Sequence, residues 1–341
     1  MTATLRPPDG TPSPHHEESP WRAGGPAAQA RRRRLLFGCG TVFAIVVGIF
    51  GFPTGRDVIV GWLLLFLLAL CGADLRLWAR VVVRDWLGFV AMLFAYDLLR
   101  GQADRLGGRL AGGRLLADGE GHQLHAFVSP QLEADRFLFG GHVPTVWLQQ
   151  HLFDPARVHW YDIAVVPVYM SHFVVPTALA GVLWARSYGL FRRYIATFVT
   201  LTAMTLVTYT LFPAVPPWMA SLNGFLPAGV ERVVTHTLLS TGVGTIQSAV
   251  EHGQAYANPV AAVPSLHSAV PMLLILMFWR SARGPVRALL CGYVAAMTFT
   301  LVYGGEHYVV DVLLGWLYAA VALRLVDVWL RRRSPSVSRQ A

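Results

Sequence analysis

The sequence contains no lysine, so all 28 of its basic side chains are arginines. The absence of lysine excludes a phosphate-binding loop that ends in Gly-Lys, a Schiff-base lysine and a Ser-Lys dyad. Charged residues are scarce as well, at 14% of the 341 residues. A chain with so little charge is not typical of a soluble globular domain.

Cysteine is almost absent. Cys39, Cys71 and Cys291 each lie in an apolar run, and they have no metal-ligand spacing. We interpret them as small apolar residues that face lipid or the protein core, and they indicate no redox compartment. Residues 1–30 contain no apolar stretch and are expected to form a disordered cytoplasmic tail, not a cleaved signal.

Hydrophobic residues make up 54% of the chain and are gathered in runs long enough to cross a bilayer. A spanning helix needs about 20 apolar residues. We count about eight such runs, at residues 35–52, 58–75, 82–99, 161–184, 194–213, 261–279, 288–303 and 308–329. The predicted fold class is therefore all-α, a polytopic membrane helical bundle. We expect membrane helices over 31–120, a second membrane domain over 121–330, and a basic cytoplasmic tail over 331–341.

The arginines cluster at the ends of these runs. The clusters are Arg31 to Arg34; Arg76, Arg80 and Arg84; Arg186, Arg192 and Arg193; Arg280, Arg283 and Arg287; and Arg331 to Arg333. Eight spans with the N-terminus inside place each of these clusters on the cytoplasmic side, as the positive-inside rule expects. Arg100, Arg105, Arg109 and Arg114 lie on the outer side in this topology and run against the rule, which weakens in longer segments. The basic excess therefore indicates topology in the plasma membrane with both termini cytoplasmic, and no nucleic-acid partner.

Residues 101–159 are too polar to span a bilayer and too apolar to lie free in water. Apolar residues such as Leu132, Phe137 and Trp147 alternate there with Asp135, Arg136 and other polar residues. This mixture predicts helices that lie in the membrane interface, and a lid over a lipid-facing site is an alternative.

Three ionisable residues lie at the ends of apolar spans, where charge is costly and usually serves chemistry. His267 opens the sixth span, and His307 and Asp311 open the eighth. Residues four apart share one helix face, so the Asp311 carboxylate can fix the tautomer of His307 and raise its basicity. The predicted topology places all three on the outer face. His307 then suits a nucleophile or a general base, and His267 can act as the acid.

Pro264 and Ser265 come directly before His267. Proline suits the first turn of a helix and serine caps it. A helix that begins there offers free backbone N–H groups to an anion. The sequence therefore predicts a phosphate-binding site at this helix start, beside the basic imidazole of His267.

These motifs resemble the phosphatidic-acid phosphatase type 2 (PAP2) superfamily. The likeness rests on Pro264-Ser265-Leu266-His267 and on His307-Tyr308-Val309-Val310-Asp311, whose histidines are 40 residues apart. The resemblance implies that 121–330 is the catalytic domain. It also implies that His307 attacks phosphorus, that Asp311 orients it, and that His267 protonates the leaving oxygen.

Two departures narrow the resemblance to one branch. Many members carry a Lys-x6-Arg-Pro motif and a Ser-Arg pair before the nucleophile, whereas this chain has no lysine and has Thr300-Leu301-Val302-Tyr303. The aureobasidin-resistance branch of inositol phosphorylceramide synthase-like proteins lacks both motifs. That branch has a tyrosine and a proline cluster, which Tyr209 to Pro217 resemble.

The cation that binds the phosphate is not identified by these motifs. Arg136 is a candidate, although a surface ion pair with Asp135 or Glu133 is an alternative role for it. The candidate substrate-binding residues are Ser265, Tyr209, Tyr303, Arg136 and His172. His172 lies in the fourth span, where a structural histidine is the alternative.

The predicted activity is a two-step phosphoryl transfer on a phospholipid or another lipid phosphate, through a phosphohistidine and without a cofactor. An alcohol acceptor makes the protein a headgroup transferase, most like an inositol-phosphoryl transferase. Water as acceptor makes it a lipid or prenyl diphosphate phosphatase. Two other classes stay open: a metal-dependent hydrolase with Glu306, His307 and Asp311 as ligands near His267, and a proton-coupled transporter. Protein partners are not indicated.

Overall fold

The computed structural model describes residues 25–50, 56–100, 104–110, 112–118, 121–241 and 260–333. The chain is an all-α membrane bundle, as predicted, with a short antiparallel hairpin among the described residues. Most of the predicted N-terminal tail and the C-terminal residues 334–341 lie outside these ranges.

The first four helices form an N-terminal group. They are α1 (Pro26–Phe50), α2 (Arg56–Leu70), α3 (Leu75–Val81) and α4 (Leu87–Arg100), with a π-helical turn (Val82–Trp86) that joins α3 to α4. Helix α1 begins five residues before the predicted boundary at Arg31. The carboxylate of Asp74 caps α3 by accepting hydrogen bonds from the amides of Arg76 and Leu77, both at 3.0 Å.

The segment between α4 and the next long helix contains a π-helical turn (Asp104–Arg109), strands β1 (Arg114–Ala117) and β2 (Gln123–Ala126), and two short helices. Strands β1 and β2 pair antiparallel, with Leu115 opposite His125. Helices α5 (Ser129–Leu138) and α6 (Pro144–Leu152) follow as a helical hairpin. Proline lies in the first turn of each helix, where its missing N–H costs nothing.

The remaining helices form the main bundle. They are α7 (Trp160–Arg186), α8 (Tyr188–Leu211), α9 (Pro217–Leu222), α10 (Val233–Ser240), α11 (Leu266–Phe278), α12 (Gly284–Tyr303) and α13 (Val309–Arg333). Among the described residues, α7, α8, α12 and α13 are long and apolar enough to cross a membrane, and Asp57–Leu70 and α11 are shorter apolar helices. Within the described ranges, each predicted apolar run overlaps a helix or the α3–α4 segment. The total of eight spans stays a prediction.

The bundle has two chemically different ends. At one end, Arg193 near the start of α8 makes a two-pronged ion pair with Asp327 near the end of α13, with both N–O distances at 2.7 Å. At the other end, the hydroxyl of Tyr303 donates to the buried carboxylate of Asp162. Helix α13 starts at this second end, which therefore carries His307 and Asp311.

Candidate active site

The ring of His307 is held in one tautomer by a backbone carbonyl. Its Nδ1 lies 2.9 Å from the carbonyl oxygen of Ala262. Because a carbonyl oxygen only accepts hydrogen bonds, Nδ1 carries the proton and donates it. In the neutral ring the lone pair is therefore on Nε2, which is the atom available for attack on an electrophile.

The carboxylate of Asp311 lies beside the same ring nitrogen. Its Oδ2 is 3.5 Å from Nδ1 of His307 and accepts the amide N–H of Tyr308 at 2.8 Å. Asp311 is fully buried, so its negative charge acts on the ring in a medium of low polarity. The two side chains do meet, as predicted, but His307 lies in the loop two residues before α13 begins at Val309, so the contact is not one between two residues of a helix face; their catalytic roles stay predictions.

A second carboxylate, Asp135 of α5, also binds the start of α13. Its Oδ2 accepts the N–H of Val309 at 3.0 Å and its Oδ1 accepts the N–H of Val310 at 2.9 Å. A helix leaves its first N–H groups without intrahelical partners, and Asp135 supplies two of those partners from a distant part of the chain. Asp135 is fully buried.

The environment of Asp135 has opposing effects on its ionisation. Burial raises the pKa of the Asp135 carboxyl, and the two hydrogen bonds from Val310 and Val309 partly oppose that shift. The amide bonds favour the charged form because a carboxylate is the stronger acceptor. The positive end of the α13 dipole acts in the same direction.

His267 lies in a stack of aromatic rings contributed by α7. Its ring centroid is 3.9 Å from that of His172 and 4.8 Å from that of Tyr169, in both cases with nearly parallel planes. The centroid of His307 is 6.0 Å away. The Nε2 atom of His267 is buried and has no hydrogen-bond partner among the described residues. The structure thus brings His267, His307 and Asp311 into one cluster and adds His172 to it.

A small layer of parallel backbone segments supports the carbonyl that binds His307. Phe127, directly after β2, pairs with Ala214, and Ala214 pairs with Ala261. The amide of Ala262 donates to the carbonyl of Ala214 at 3.1 Å. The position of the Ala262 carbonyl, and with it the tautomer of His307, therefore depends on three segments that are distant in sequence.

Three of the predicted substrate-binding residues use their hydroxyl groups within the protein. The Oγ atom of Ser265 accepts a hydrogen bond from the amide of Ser268 at 3.3 Å. The hydroxyl of Tyr209 donates to the carbonyl of Pro264 at 2.7 Å, and that of Tyr303 donates to the carboxylate of Asp162. Ser265 is the N-cap of α11, as its position predicted. These bonds stabilise the segments around the cluster, and a direct role in substrate binding stays a prediction for each residue.

Arg136 and His172 differ in their relation to the cluster. Arg136 pairs with Glu133 at 2.7 Å on the surface of α5, which is one of the two surface pairings considered above. His172 stacks directly on His267. The structure therefore places His172 at the cluster and leaves the phosphate-binding role of Arg136 as a prediction.

The metal alternative depended on Glu306 as a ligand. Its carboxylate pairs instead with the guanidinium of Arg232, at 3.1 Å. Within the described ranges, no group of three His, Cys, Asp or Glu side chains is arranged to hold a metal ion. Glu306, the residue before His307, is therefore engaged in an ion pair with Arg232.

Sequence reasoning missed two contributors to the site. Asp135 was considered only as a surface partner of Arg136, and Ala262 carries no side-chain signal at all. The apolar neighbours Leu132 and Leu138 are a local signal that Asp135 is buried. Its hydrogen-bond partner Val309 on α13, however, lies 174 residues away. Such contacts are not encoded in local periodicity.

Comparison with known proteins shows the family to which this chain belongs. A family model described as the PAP2 superfamily matches residues 133–325, more than half of the chain. A phosphoinositol dihydroceramide synthase of Bacteroides thetaiotaomicron is 33% identical over 132 residues, which cover 36% of this chain and 41% of that protein. The match thus spans less than half of that relative's length. No solved structure matches the chain.

Proposed function

Because this chain belongs to the PAP2 superfamily, we propose that it is a lipid phosphotransferase that works through a phosphohistidine at His307. The chain is a PAP2-type membrane enzyme of the phosphotransferase and phosphatase class. The observation that carries the proposal is the hydrogen bond from Nδ1 of His307 to the Ala262 carbonyl. That bond leaves the Nε2 lone pair free for attack on phosphorus.

In the first step, Nε2 of His307 attacks the phosphorus of a lipid phosphate ester. A P–N bond forms as the P–O bond to the leaving group breaks, and protonated His267 gives its proton to the departing oxygen. The positive charge that develops on the ring of His307 is stabilised by Asp311, whose Oδ2 is 3.5 Å from Nδ1. Proton transfer of this kind contributes about two to four powers of ten in rate.

In the second step, the acceptor hydroxyl gives its proton to His267 and its oxygen attacks phosphorus. The P–N bond breaks and His307 regains its lone pair. The N-terminal amides of α11 lie beside His267 and are suitable donors for the phosphate oxygens. No step needs a metal ion, so we propose a metal-independent reaction.

We propose an inositol-phosphoryl headgroup transfer with a hydroxyl lipid as acceptor. The named activity of the Bacteroides relative supports this choice, as does the sequence likeness to the inositol phosphorylceramide synthase-like branch. Water as acceptor would give a phosphatase with the same first step. The phosphoryl substrate in both cases is a membrane lipid.

The test uses purified protein and phosphatidylinositol labelled in its phosphate. We expect label in a new lipid when a hydroxyl lipid is supplied, and acid-labile, base-stable label on the protein. His307→Ala should remove both, and His122→Asn, a substitution of an exposed residue in the β1–β2 segment, should preserve them. Activity that persists in His307→Ala, or that is lost with a chelator and restored by a divalent metal, would refute the mechanism.

We further propose that the cluster faces the outside of the plasma membrane and that both termini are cytoplasmic. The proposal is supported by the arginine-rich end of the bundle, marked by the ion pair of Arg193 with Asp327, because it lies at the end opposite the cluster and the positive-inside rule assigns such an end to the cytoplasm. Intact cells carrying Ser129→Cys or Ser281→Cys, with the native cysteines replaced, test the orientation. A membrane-impermeant maleimide should label position 129 and not position 281, and the reverse result contradicts the orientation.

A further inference from the structure

The helical hairpin α5–α6 presents a group of large apolar side chains on its outer surface. Phe137 is 87% exposed, Trp147 is 55% exposed, and Leu138 and Phe139 are 50% and 42% exposed. A surface in contact with water rarely carries such a group. The hairpin therefore has an apolar face that no described part of the chain covers.

Two contacts place this hairpin at the level where membrane spans begin. The hydroxyl of Tyr161, in the first turn of α7, donates to the carbonyl of Leu152 at the end of α6, at 2.6 Å. Asp135 of α5 binds the first amides of α13. Both α7 and α13 are long and apolar enough to cross a membrane.

The length of α7 indicates what surrounds that level. Its 27 residues extend about 40 Å at a rise of 1.5 Å per residue, whereas the hydrocarbon core of a bilayer is about 30 Å thick. The excess length extends into the headgroup layers, and the exposed Trp160 in the first turn of α7 is a residue type that favours such a layer. The hairpin, which is bonded to the first turn, lies in the same layer, where tryptophan and other aromatic rings are favoured.

The apolar face is continuous with the lipid-facing surface of the spans. Beside the packed contact between the hairpin and the bundle lies a groove of about 500 Å³, lined by Phe139 and Leu148 of the hairpin and by Val302, Val309 and Trp316 of α12 and α13. On α13, exposed leucines continue the surface away from the groove at Leu313 and Leu317. This continuity identifies lipid as the occupant of the apolar face.

We propose that the α5–α6 hairpin is a lipid-binding surface that also positions the catalytic helix. Its partner is the interfacial layer of the leaflet that α7 and α13 enter at their N-terminal ends. On α5, Phe137 points outward to lipid and Asp135, two residues earlier, holds the start of α13. Contact with the leaflet thereby keeps the α13 terminus, with His307 and Asp311, at a fixed depth.

The depth of the hairpin is tested with a fluorophore that responds to polarity. The label is attached to Phe137→Cys, and to Ser129→Cys at the polar start of the same helix as the matched control, with the three native cysteines replaced. In vesicles, we expect a blue-shifted spectrum at position 137 that is quenched by lipids brominated in the upper acyl chain, and a water-like spectrum at position 129. This measurement is independent of enzymatic activity, so it stands even where the proposed function fails.

Two outcomes would overturn the lipid contact. A water-like spectrum at both positions shows that the face is in water. A blue-shifted but unquenched label at position 137 shows that a second copy of the chain or another segment covers it.

The positioning role has its own readout. Phe137→Ser should lower activity in vesicles severalfold and leave the thermal unfolding temperature in detergent unchanged, because the side chain is exposed. Ser129→Ala should change neither. Full activity of Phe137→Ser in vesicles would show that the lipid contact does not position the site.

Discussion

Replacing Asp135 by alanine tests whether the start of α13 is held from outside the helix. The carboxylate accepts two N–H groups, from Val309 and Val310, and the substitution leaves both without a protein partner. A buried unsatisfied donor costs about 1–3 kcal/mol, and loss of a capping residue costs about 0.5–2 kcal/mol. Because water can enter the space that alanine leaves, we expect a loss of roughly 2–4 kcal/mol in unfolding free energy for the two bonds together.

The effect on catalysis should be at least as large as the effect on stability. The released helix start carries Asp311 and adjoins His307, and a misplacement of about 1 Å near reacting atoms can cost a factor of roughly 100 in rate. The assay measures kcat and KM in detergent together with the thermal unfolding temperature. We expect kcat to fall most, since the proposed mechanism assigns the attack on phosphorus to His307 and the stabilisation of its charge to Asp311.

Two further variants separate this effect from a general change of charge on α5. Asp135→Asn keeps one acceptor and places an NH₂ group against the second amide, so we expect an intermediate loss. Glu133→Gln removes only the surface ion pair with Arg136, for which we expect less than about 0.5 kcal/mol. Wild-type stability and kcat in Asp135→Ala would refute the role of this carboxylate.

Two more substitutions test the supports of the cluster. Tyr303→Phe removes the only hydroxyl bonded to Oδ1 of Asp162 in the described structure. We therefore expect the unfolding free energy, measured by thermal unfolding, to fall by about 1–3 kcal/mol. An increased KM with unchanged stability would instead favour substrate binding by this tyrosine. Gly315→Ala would place a methyl group 2.3 Å from the carbonyl oxygen of Ser265, which forces α11 and α13 apart. We expect the unfolding free energy to fall by about 1–3 kcal/mol and kcat to fall as well. The control Gly292→Ala, with open space around it, should retain both stability and kcat. A fully active Gly315→Ala would contradict the close packing.

Much of the helical architecture was predictable because each apolar run reports on its own surroundings. A run of apolar residues favours a helix in lipid wherever the rest of the chain lies. The prediction at Ser265 also succeeded for a local reason, since an N-cap bonds to an amide only three residues ahead. Helix ends were less well predicted: α1 begins at Pro26, five residues before the expected start.

The substrate-binding candidates show where such reasoning stops. Tyr209 and Tyr303 were selected by motif likeness, yet their hydroxyls are bonded to Pro264 and Asp162, which are 55 and 141 residues away. Residue type identifies a hydrogen-bonding group, and only packing decides which partner it meets. The same limit applies to Arg136, whose neighbour Glu133 is one of several acids within reach along the sequence.

The amino-acid sequence was enough to predict the apolar runs, the start of α11 at its serine cap, and the contact of His307 with Asp311, because each depends on residues that are close together along the chain. The tertiary structure alone decided that the Ala262 carbonyl sets the tautomer of His307, that His172 stacks on His267, and that Asp135 holds the start of α13. Each of those contacts joins segments more than 40 residues apart. Their geometry follows from how helices pack against one another, and no local pattern in the sequence encodes it.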